Sequence, residues 1–570
     1  MISDLSSAEA KSIRFEALHR IGVALSKERD RDRLVESILL EAKHLCNADG
    51  GTLYLVDKPG RELDFAMIHS DSLKIAQGGS TGNPINLPSI PLFLSGDTPN
   101  RNNVATRAYH DQVPVHVPDA YAPGVTKGID LSGTHAFDRR NNYRSVSLLA
   151  IPLSNSQGSV IAVLQLINAT DPNTGQVTPF HPELERTVIA LAAQAGIALD
   201  NQALLAAHRE LLDSFIKLIA AAIDAKSPYT GDHCERVPVL AEMFTRALCE
   251  VQEGPFAGFK LTDEEWRELR VAAWLHDCGK VTTPTHVMDK ATKLETISDR
   301  ILVVEARYEV LARDAELDYF RAISAGRPEH EASLALETTR KQLSSELTFL
   351  RGANIGGEFL SPEARARIQE IGARTIVLDG KPQPLLDQDM VKNLSIARGT
   401  LTEDERVTIN GHMVQTIRML EALPFPAELA RVPEYAGGHH ERMDGKGYPK
   451  GLFAGDMSIP ARVLAIADVF EALTAADRPY KKGKTLSESM RIMGQMKKAN
   501  HLDPELFDEF VRSKVYLKYA EAHCAKEQID SVDEAALLAI RPEPYTLPER
   551  EIRDARRRDF LPEYKRLLGG

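Results

Sequence analysis

His276 and Asp277 are adjacent in Ala-Trp-Leu-His-Asp-Cys-Gly-Lys, and a histidine pair, His439-His440, lies in Gly-His-His-Glu-Arg-Met-Asp-Gly-Lys-Gly-Tyr-Pro. Asp468 closes the apolar run Val463-Leu464-Ala465-Ile466-Ala467, while His233 lies upstream and His412 between the two pairs. Five imidazoles and two carboxylates, each beside helix-like apolar sequence, make the ligand set of a centre with more than one metal ion. Imidazole and carboxylate donors without thiolate suit iron, manganese or zinc, whereas all-oxygen sites suit calcium or magnesium. Seven ligands exceed the roughly three that a single catalytic zinc takes. Two metals sharing a carboxylate accommodate seven, sit roughly 3.5–4 Å apart and clamp the attacking and leaving oxygens of a phosphoryl displacement. Asp277 is the candidate bridge, because His276 beside it can bind one of the two metals. A bound hydroxide then serves as nucleophile, so no serine or cysteine is required. Cys278 reads as a small buried packing residue.

The runs Tyr229-Thr230-Gly231-Asp232-His233, His276-Asp277-Cys278-Gly279-Lys280 and His439 through Pro449 resemble the HD-GYP phosphohydrolases. Ala461 to Thr474 continues the match, as does Asp477-Arg478-Pro479-Tyr480, so the resemblance covers roughly residues 214–515 apart from one insertion. Members of that family are bacterial phosphodiesterases that open cyclic di-GMP to linear pGpG and in some cases go on to GMP. The resemblance implies metal ligands His233, His276, Asp277, His412, His439, His440 and Asp468, holding two divalent ions, iron or manganese. It implies Lys280 near the scissile phosphate as proton donor or charge stabiliser, with Asp277 as its catalytic neighbour. Arg478, Lys481 and Tyr448 are the candidate substrate contacts. Tyr229 stands where three-metal members carry Glu, and a phenol with a reference pKa of about 10 is a poor ligand, so two metals are expected. One extra residue precedes Arg478, in Ala475-Ala476-Asp477, and the stretch from Lys280 to His412 is far longer than the family spacing. The rival readings are a non-catalytic cyclic-dinucleotide receptor and an HD-superfamily hydrolase of another phosphoester, such as cyclic GMP-AMP. Loss of ligands would mark the receptor class, and Gly447-Tyr448-Pro449 argues against the wider superfamily.

These residues must be positioned by the elements around them. The insertion occupies roughly 300–398, where Ile301–Leu311 and Glu331–Leu350 have amphipathic helical spacing and Pro362 opens another helix. Arg351–Gly357 reads as a loop. A surface hairpin, a lid or a dimer contact all remain open for this segment. The first 175 residues or so are different in kind. An opening helix, about Ser12–Cys46, leads into strands at Gly51–Val56, Ser145–Leu153 and Val160–Asn168, the last two joined by a Ser156-Gln157-Gly158 turn. With Ala48–Tyr54 and Val163–Ala169, this α+β pattern resembles a GAF domain. Of the pattern by which GAF domains of cyclic-nucleotide phosphodiesterases bind, Asn168 and Phe180 remain, Ala169 replaces a Lys and Glu183 sits near an expected Asp. A small ligand on this domain and a purely dimerising role both stay open. His69, His110, His116 and His135 show no metal or haem spacing.

Between the two domains, Ile197, Leu204, Leu211 and Leu218 recur every seven residues, with Asn201 and His208 interrupting a second seam that Phe215 and Ala222 complete. That repeat predicts a parallel coiled coil, and with it a homodimer, over the alternative of an amphipathic helix that packs on its own domains. The expected organisation is multidomain, α+β followed by all-α. A GAF-like sensor spans 1–183, a connecting helix 184–226, an all-helical HD-GYP domain with a helical insertion 227–525, and a tail 526–570. A net charge of −12 argues against polymeric nucleic acid as a partner. The longest apolar run, near Val188–Leu199, falls short of the roughly 18–20 residues of a membrane span, and no signal peptide opens the chain. Five cysteines without Cys-x-x-Cys spacing predict neither disulfide frame nor zinc knuckle. The expectation is a cytoplasmic, membrane-free phosphodiesterase acting on a cyclic dinucleotide and tuned by its GAF-like domain, with cyclase proteins as further partners.

Overall fold

The computed structural model describes residues 18–122, 128–226, 233–356, 359–475 and 483–558. Contacts divide the chain into two units, Met1–Leu211 and Leu212–Gly570.

In the first unit the opening helix is broken in two, α1 over 18–27 and α2 over Arg31–Cys46. Asp30 makes the break: its backbone is extended and its carboxylate accepts from the Arg33 N–H at 2.9 Å, capping α2. Strands β1 (Ala48–Val56), β2 (Glu62–Ser70), β3 (Ile75–Gly78), β4 (Ile90–Pro91), β5 (Val115–Val117), β6 (Leu148–Ser154), β7 (Val160–Thr170) and β8 (Val177–Thr178) form one antiparallel sheet. Its order is β3-β2-β1-β7-β6-β5, with β4 beside β2 and β8 beside β7. β6 and β7 are the predicted hairpin, whereas β2, β3 and β5 had no clear signature in the sequence. Leu53, Leu164 and Leu166 on one sheet face pack with Leu34, Ile38 and Leu39 of α2. Helix α3 (Val104–Asp111) contributes Val104, Ala105 and Ala108 to the core on the other face, and α4 (Ser132–Asn141) follows β5. Phe180 is a buried core residue. Asn168, at φ 57°, accepts from the N–H groups of Val146 and Ser147 and donates to the Tyr143 hydroxyl and the Arg144 carbonyl. Both survivors of the nucleotide-binding pattern are thus occupied in holding the fold.

Helix α5 (Pro182–Asp224) runs for 43 residues. Its first half sends Val188, Leu191, Ala192 and Ala195 into the core of the first unit, and Ile216 and Ile223 belong to the core of the second. The heptad positions do neither. Ile197, Leu204, Leu211 and Leu218 are 50%, 59%, 53% and 64% exposed, a continuous apolar stripe with no partner within the described chain. By length and composition α5 is the one described helix long and apolar enough to cross a bilayer, and a third of that window is buried in protein.

The second unit is built from α6 (His233–Cys249), α7 (Asp263–Leu275), α8 (Thr285–Met288), an insertion, and then α13 (Glu403–Asn410), α14 (His412–Ala422), α15 (Val432–Gly437), α16 (Ile459–Thr474), α17 (Leu486–Lys498), α18 (Pro504–Arg512), α19 (Val515–His523), α20 (Glu534–Ala539) and α21 (Arg550–Arg558). Val237, Leu240, Phe244, Leu269, Tyr435, Val463, Ile466, Phe470 and Phe510 share its core. Each such side chain contributes about 1.5–3 kcal/mol by leaving water, which is what locks the ligand-bearing helices together.

The insertion has a core of its own, with Val304, Tyr308, Leu343, Leu350, Ile368, Ile376 and Leu394 among its members. The expected helices at 301–311 and 331–350 are parts of α9 (Ile301–Ser324) and α10 (Glu329–Asn354), which pack against each other and are followed by α11 (Pro362–Gly372), strands β9 (Thr375–Leu378) and β10 (Lys381–Pro384), and α12 (Gln388–Leu394). Two expectations need correction here. The segment from Arg351 is helical as far as Asn354, because Leu350 and Ala353 pack into this core, and the insertion includes a β-hairpin. Its neck is polar: the buried Lys290 donates to Asn393 and Glu405, and the buried Lys293 donates to the carbonyls of Leu394 and Ile396. These bonds satisfy ammonium groups that burial would otherwise penalise.

Candidate metal centre

Four segments converge. Helix α7 is started by a capping box, Thr262 with Glu265, and ends at Leu275, so that His276 and Asp277 fall at its C-terminal turn. The following 3-10 turn, Cys278–Thr282, lies against α14 at Gly279, whose N–H donates to Thr416 Oγ1 at 2.9 Å. Only glycine fits, since a Cβ there would fall 1.9 Å from the His412 carbonyl oxygen. His233 opens α6 and His412 opens α14. Gly437 and Gly438 end α15 against Ile417 and Ala461, delivering His439 and His440 to the same point. Asp468 lies on α16, capped by Ser458 and started by Pro460.

All seven predicted ligands come together in two groups that share one residue. Asp277, His412, His439 and His440 form one group, and His233, His276, Asp277 and Asp468 the other; within each, the donor atoms lie within 4.8 Å of one another. Asp277 faces both. Its Oδ1 is 3.2 Å from His412 Nε2 and 3.9 Å from His439 Nε2, while its Oδ2 is 3.2 Å from His276 Nε2 and 3.5 Å from His233 Nε2. Asp468 Oδ1 is 3.3 Å from His233 Nε2 and 3.8 Å from His276 Nε2. His276 and Asp277 are 0% and 2% exposed, whereas the Asp468 and Lys280 side chains reach 14% and 27%, which gives the centre one open side.

The donor set fits metal ions on a direct observation. Among the described residues, His276 Nε2, Asp277 Oδ1, His412 Nε2 and His439 Nε2 are buried polar atoms without a hydrogen-bond partner. Such orphans are costly unless something else satisfies them, and all four point into the centre. The other ring nitrogens of these histidines are committed: Nδ1 of His276, His412 and His439 lies 2.8, 2.6 and 2.7 Å from the carbonyls of Ala273, Ile409 and Ala436. In the neutral tautomer that donates to those carbonyls, each Nε2 would carry the lone pair that a metal ion binds. Neither Cys234 nor Cys278 belongs to either donor group, and burial pushes the Cys278 thiol up to about 12 and raises Cys234 further.

The charges are strongly coupled. Burial acts against the charged forms of His233 and His276, but the carboxylates override it: Asp277, Asp468 and Glu471 hold His233 well above its usual value, and Asp277 takes His276 to about 9. Asp277, despite its burial, is held well below the carboxylate range by Lys280, His276 and His233. Burial, reinforced by His276, lowers His439 to about 4, and burial with His439 and His412 lowers His440. The centre therefore presents ionised carboxylates and neutral imidazoles at His439 and His440, the forms in which these side chains bind metals.

Lys280 Nζ stands 2.5 Å from Asp277 Oδ2. The Tyr448 ring stacks on His440, with centroids 4.9 Å apart and planes at 16°, and its N–H donates to the His440 carbonyl. Tyr448 is thereby placed against His440, a candidate ligand. Arg478, Lys481 and Tyr229 lie outside the described residues.

Several residues without an assigned role in the sequence reading join the site. Glu471 lies three residues after Asp468 on α16 and binds His233 Nδ1 at 2.5 Å; the spacing on one helical face was the available signal. The buried Glu441 accepts from the N–H groups of Lys450 at 2.7 Å and Leu452 at 2.8 Å, closing the loop that carries Tyr448. Burial raises its carboxyl to about 7. The tail packs back on the base of that loop, with Tyr545 against Phe453 and Arg553 donating to the buried Asp456 at 3.0 Å.

Comparison with known proteins matches residues 30–199 to the GAF domain and residues 389–506 to the HD domain. The latter stretch holds His412, His439, His440 and Asp468. A 3′3′-cGAMP-specific phosphodiesterase of Vibrio cholerae is 43% identical over 115 residues, 20% of this chain and 26% of that protein. A cyclic di-GMP phosphodiesterase of Pseudomonas aeruginosa is 32% identical over 205 residues, 34% of this chain and 46% of its own length. A second 3′3′-cGAMP-specific phosphodiesterase of Vibrio cholerae is 24% identical over 305 residues, 53% of this chain and 40% of its own. The chain thus spans less than half the length of each of these relatives. It combines a GAF domain with an HD domain whose motifs around His276, His439 and Tyr448 resemble those of the HD-GYP phosphohydrolases.

Proposed function

We propose that the second unit is a dinuclear metal phosphodiesterase that hydrolyses cyclic di-GMP to pGpG, with GMP as the product of a further cut. The observation that carries this reading is the Asp277 carboxylate, which turns one oxygen to each of two imidazole groups. Two divalent ions, iron or manganese, fit those groups, and all seven donors are present, which disfavours a non-catalytic receptor. When bound, such a pair supplies an activated water and Lewis-acid stabilisation of the phosphorane charge. The chain's own residues do the rest. Asp277 and Asp468 hold the anionic floor of the site, and Lys280, next to Asp277 and partly exposed, delivers positive charge or a proton to the departing ribose oxygen. Arg478 and Lys481 are the proposed phosphate grips, and Tyr448 orients His440 beneath the substrate. A second substrate, 3′3′-cGAMP, is favoured by the relative that is 43% identical over its matched region.

Regulation by the GAF domain belongs to the same reading, as do a homodimer through the exposed stripe of α5 and a cytoplasmic location. The end of α5 supports the regulatory part. Asp224 accepts from the Cys234 N–H at 3.0 Å, next to ligand His233. Lys226, just beyond, donates to the carbonyls of Lys280 at 3.2 Å, Thr283 at 2.6 Å and Val281. The end of the connecting helix and the residues just after it are therefore bonded to the start of α6, at the residue after His233, and to the turn that carries Lys280. The test is to offer manganese- or iron-loaded protein a panel of cyclic dinucleotides and read the products by chromatography. Conversion of cyclic di-GMP to pGpG supports the reading; loaded protein that cuts none of the panel contradicts it.

A further inference from the structure

His276, His412 and His439 are each backed by a backbone carbonyl three residues earlier, a neutral partner. His233 is backed differently. Its Nδ1 lies 2.5 Å from Oε2 of Glu471, a buried carboxylate whose Oε1 accepts from Arg236 Nε at 2.6 Å. Arg236 follows His233 by three residues on α6, and Glu471 follows Asp468 by three on α16, so each partner shares a helical face with a ligand. A carboxylate behind a metal-binding imidazole fixes the tautomer, aims the other nitrogen and raises its basicity as a donor. Here it aims Nε2 at Asp277 and Asp468, 3.5 and 3.3 Å away.

Among the described residues and their described contacts, such carboxylate backing is found on one of the two groups. The group of His233, His276, Asp277 and Asp468 has two carboxylates of its own and this third behind it, whereas the other group has Asp277 and three imidazoles. We infer that Glu471, braced by Arg236, is a positioning residue for His233 that selectively tightens the metal site on the Asp468 side. The inference rests on the two-metal reading above. The competing role is a buried ion pair that merely ties α6 to α16, and such a brace would not distinguish one metal from the other.

Metal-free full-length protein, titrated with manganese(II) against a chelating indicator dye, separates these roles. Wild type should bind two equivalents. Glu471→Gln preserves the shape and a hydrogen-bond acceptor but removes the charge, and it should weaken one equivalent by roughly 10–100-fold while leaving the other unchanged. Arg236→Gln, which leaves the carboxylate in place but unbraced, should weaken the same equivalent by less, and it carries the test if Glu471→Gln does not fold. Equal weakening of both equivalents, or no change in either, would overturn the positioning role in favour of a brace. A wild-type chain that binds no manganese would instead remove the two-metal reading, and this inference with it.

Discussion

Gly279 lies where the turn following Asp277 meets α14, and a single methyl group there probes how rigidly that contact sets the centre. A Cβ at this position would fall 1.9 Å from the His412 carbonyl oxygen, 2.6 Å from the Thr416 nitrogen and 2.7 Å from Thr416 Oγ1. The first two are backbone atoms, so no side-chain rotation relieves the clash. Comfortable carbon contacts begin at about 3.5 Å, so Gly279→Ala must part the turn from α14 by about 1.5 Å. His412 opens α14 with its Nε2 3.2 Å from Asp277 Oδ1, and it would move with that helix. Overpacking of this kind costs about 1–3 kcal/mol, which lowers the melting temperature without unfolding a domain of this size. A displacement near 1 Å at a reacting centre costs about a hundredfold in rate. The assay combines a thermal melt, elemental analysis and turnover of cyclic di-GMP. The expected result is a folded protein with less metal, lost first from the His412 group, and kcat/KM down by about a hundredfold. Wild-type melting, metal content and turnover together would refute the reasoning.

Lys280→Ala should lower kcat and kcat/KM together by about a hundred- to a thousandfold with metal content unchanged, as removal of transition-state charge stabilisation does; a rise in KM alone would reassign Lys280 to substrate binding. Lys226→Met should leave metal content at the wild-type value and lower kcat, because it frees the turn carrying Lys280 from α5. Wild-type turnover would remove this link from the regulatory route. Leu204→Glu combined with Leu211→Glu places charge on the exposed stripe and should shift the protein from dimer to monomer in light scattering, whereas an unchanged mass would place any dimer contact elsewhere.

The convergence of the seven candidate donors was legible because they are residue types at fixed places in short motifs. His276-Asp277, His439-His440 and Asp468 each sit at the end or on the face of an apolar helix, so the core that buries the helix also delivers the ligand. What the sequence did not disclose is what stands behind the ligands. Glu471 and Arg236 are ordinary charged residues until α6 and α16 pack, and Glu441 acquires its role only when the loop to Leu452 closes around it. The break at Asp30 was readable in principle as a capping residue, but the apolar residues on either side continued a helical pattern across it. Strand β2, Glu-Leu-Asp-Phe-Ala-Met-Ile-His-Ser, departs from strict alternation along much of its length, and it is specified by its pairing with β1 rather than by its own pattern. The β-hairpin of the insertion, with Pro382 and Pro384 on one strand, has the composition of a turn-rich loop and gains its order from the core beneath Ile376.

The most direct test measures metal per chain and turnover side by side in wild type and Asp277→Ala, after reconstitution of the full-length protein with manganese or iron. If one carboxylate joins two imidazole groups into a hydrolytic site, wild type should hold two equivalents and convert cyclic di-GMP to pGpG, and Asp277→Ala should lose both the metals and the turnover. An Asp277→Ala protein that kept two metals, or a metal-free wild type that turned over at the same rate as the loaded enzyme, would contradict it.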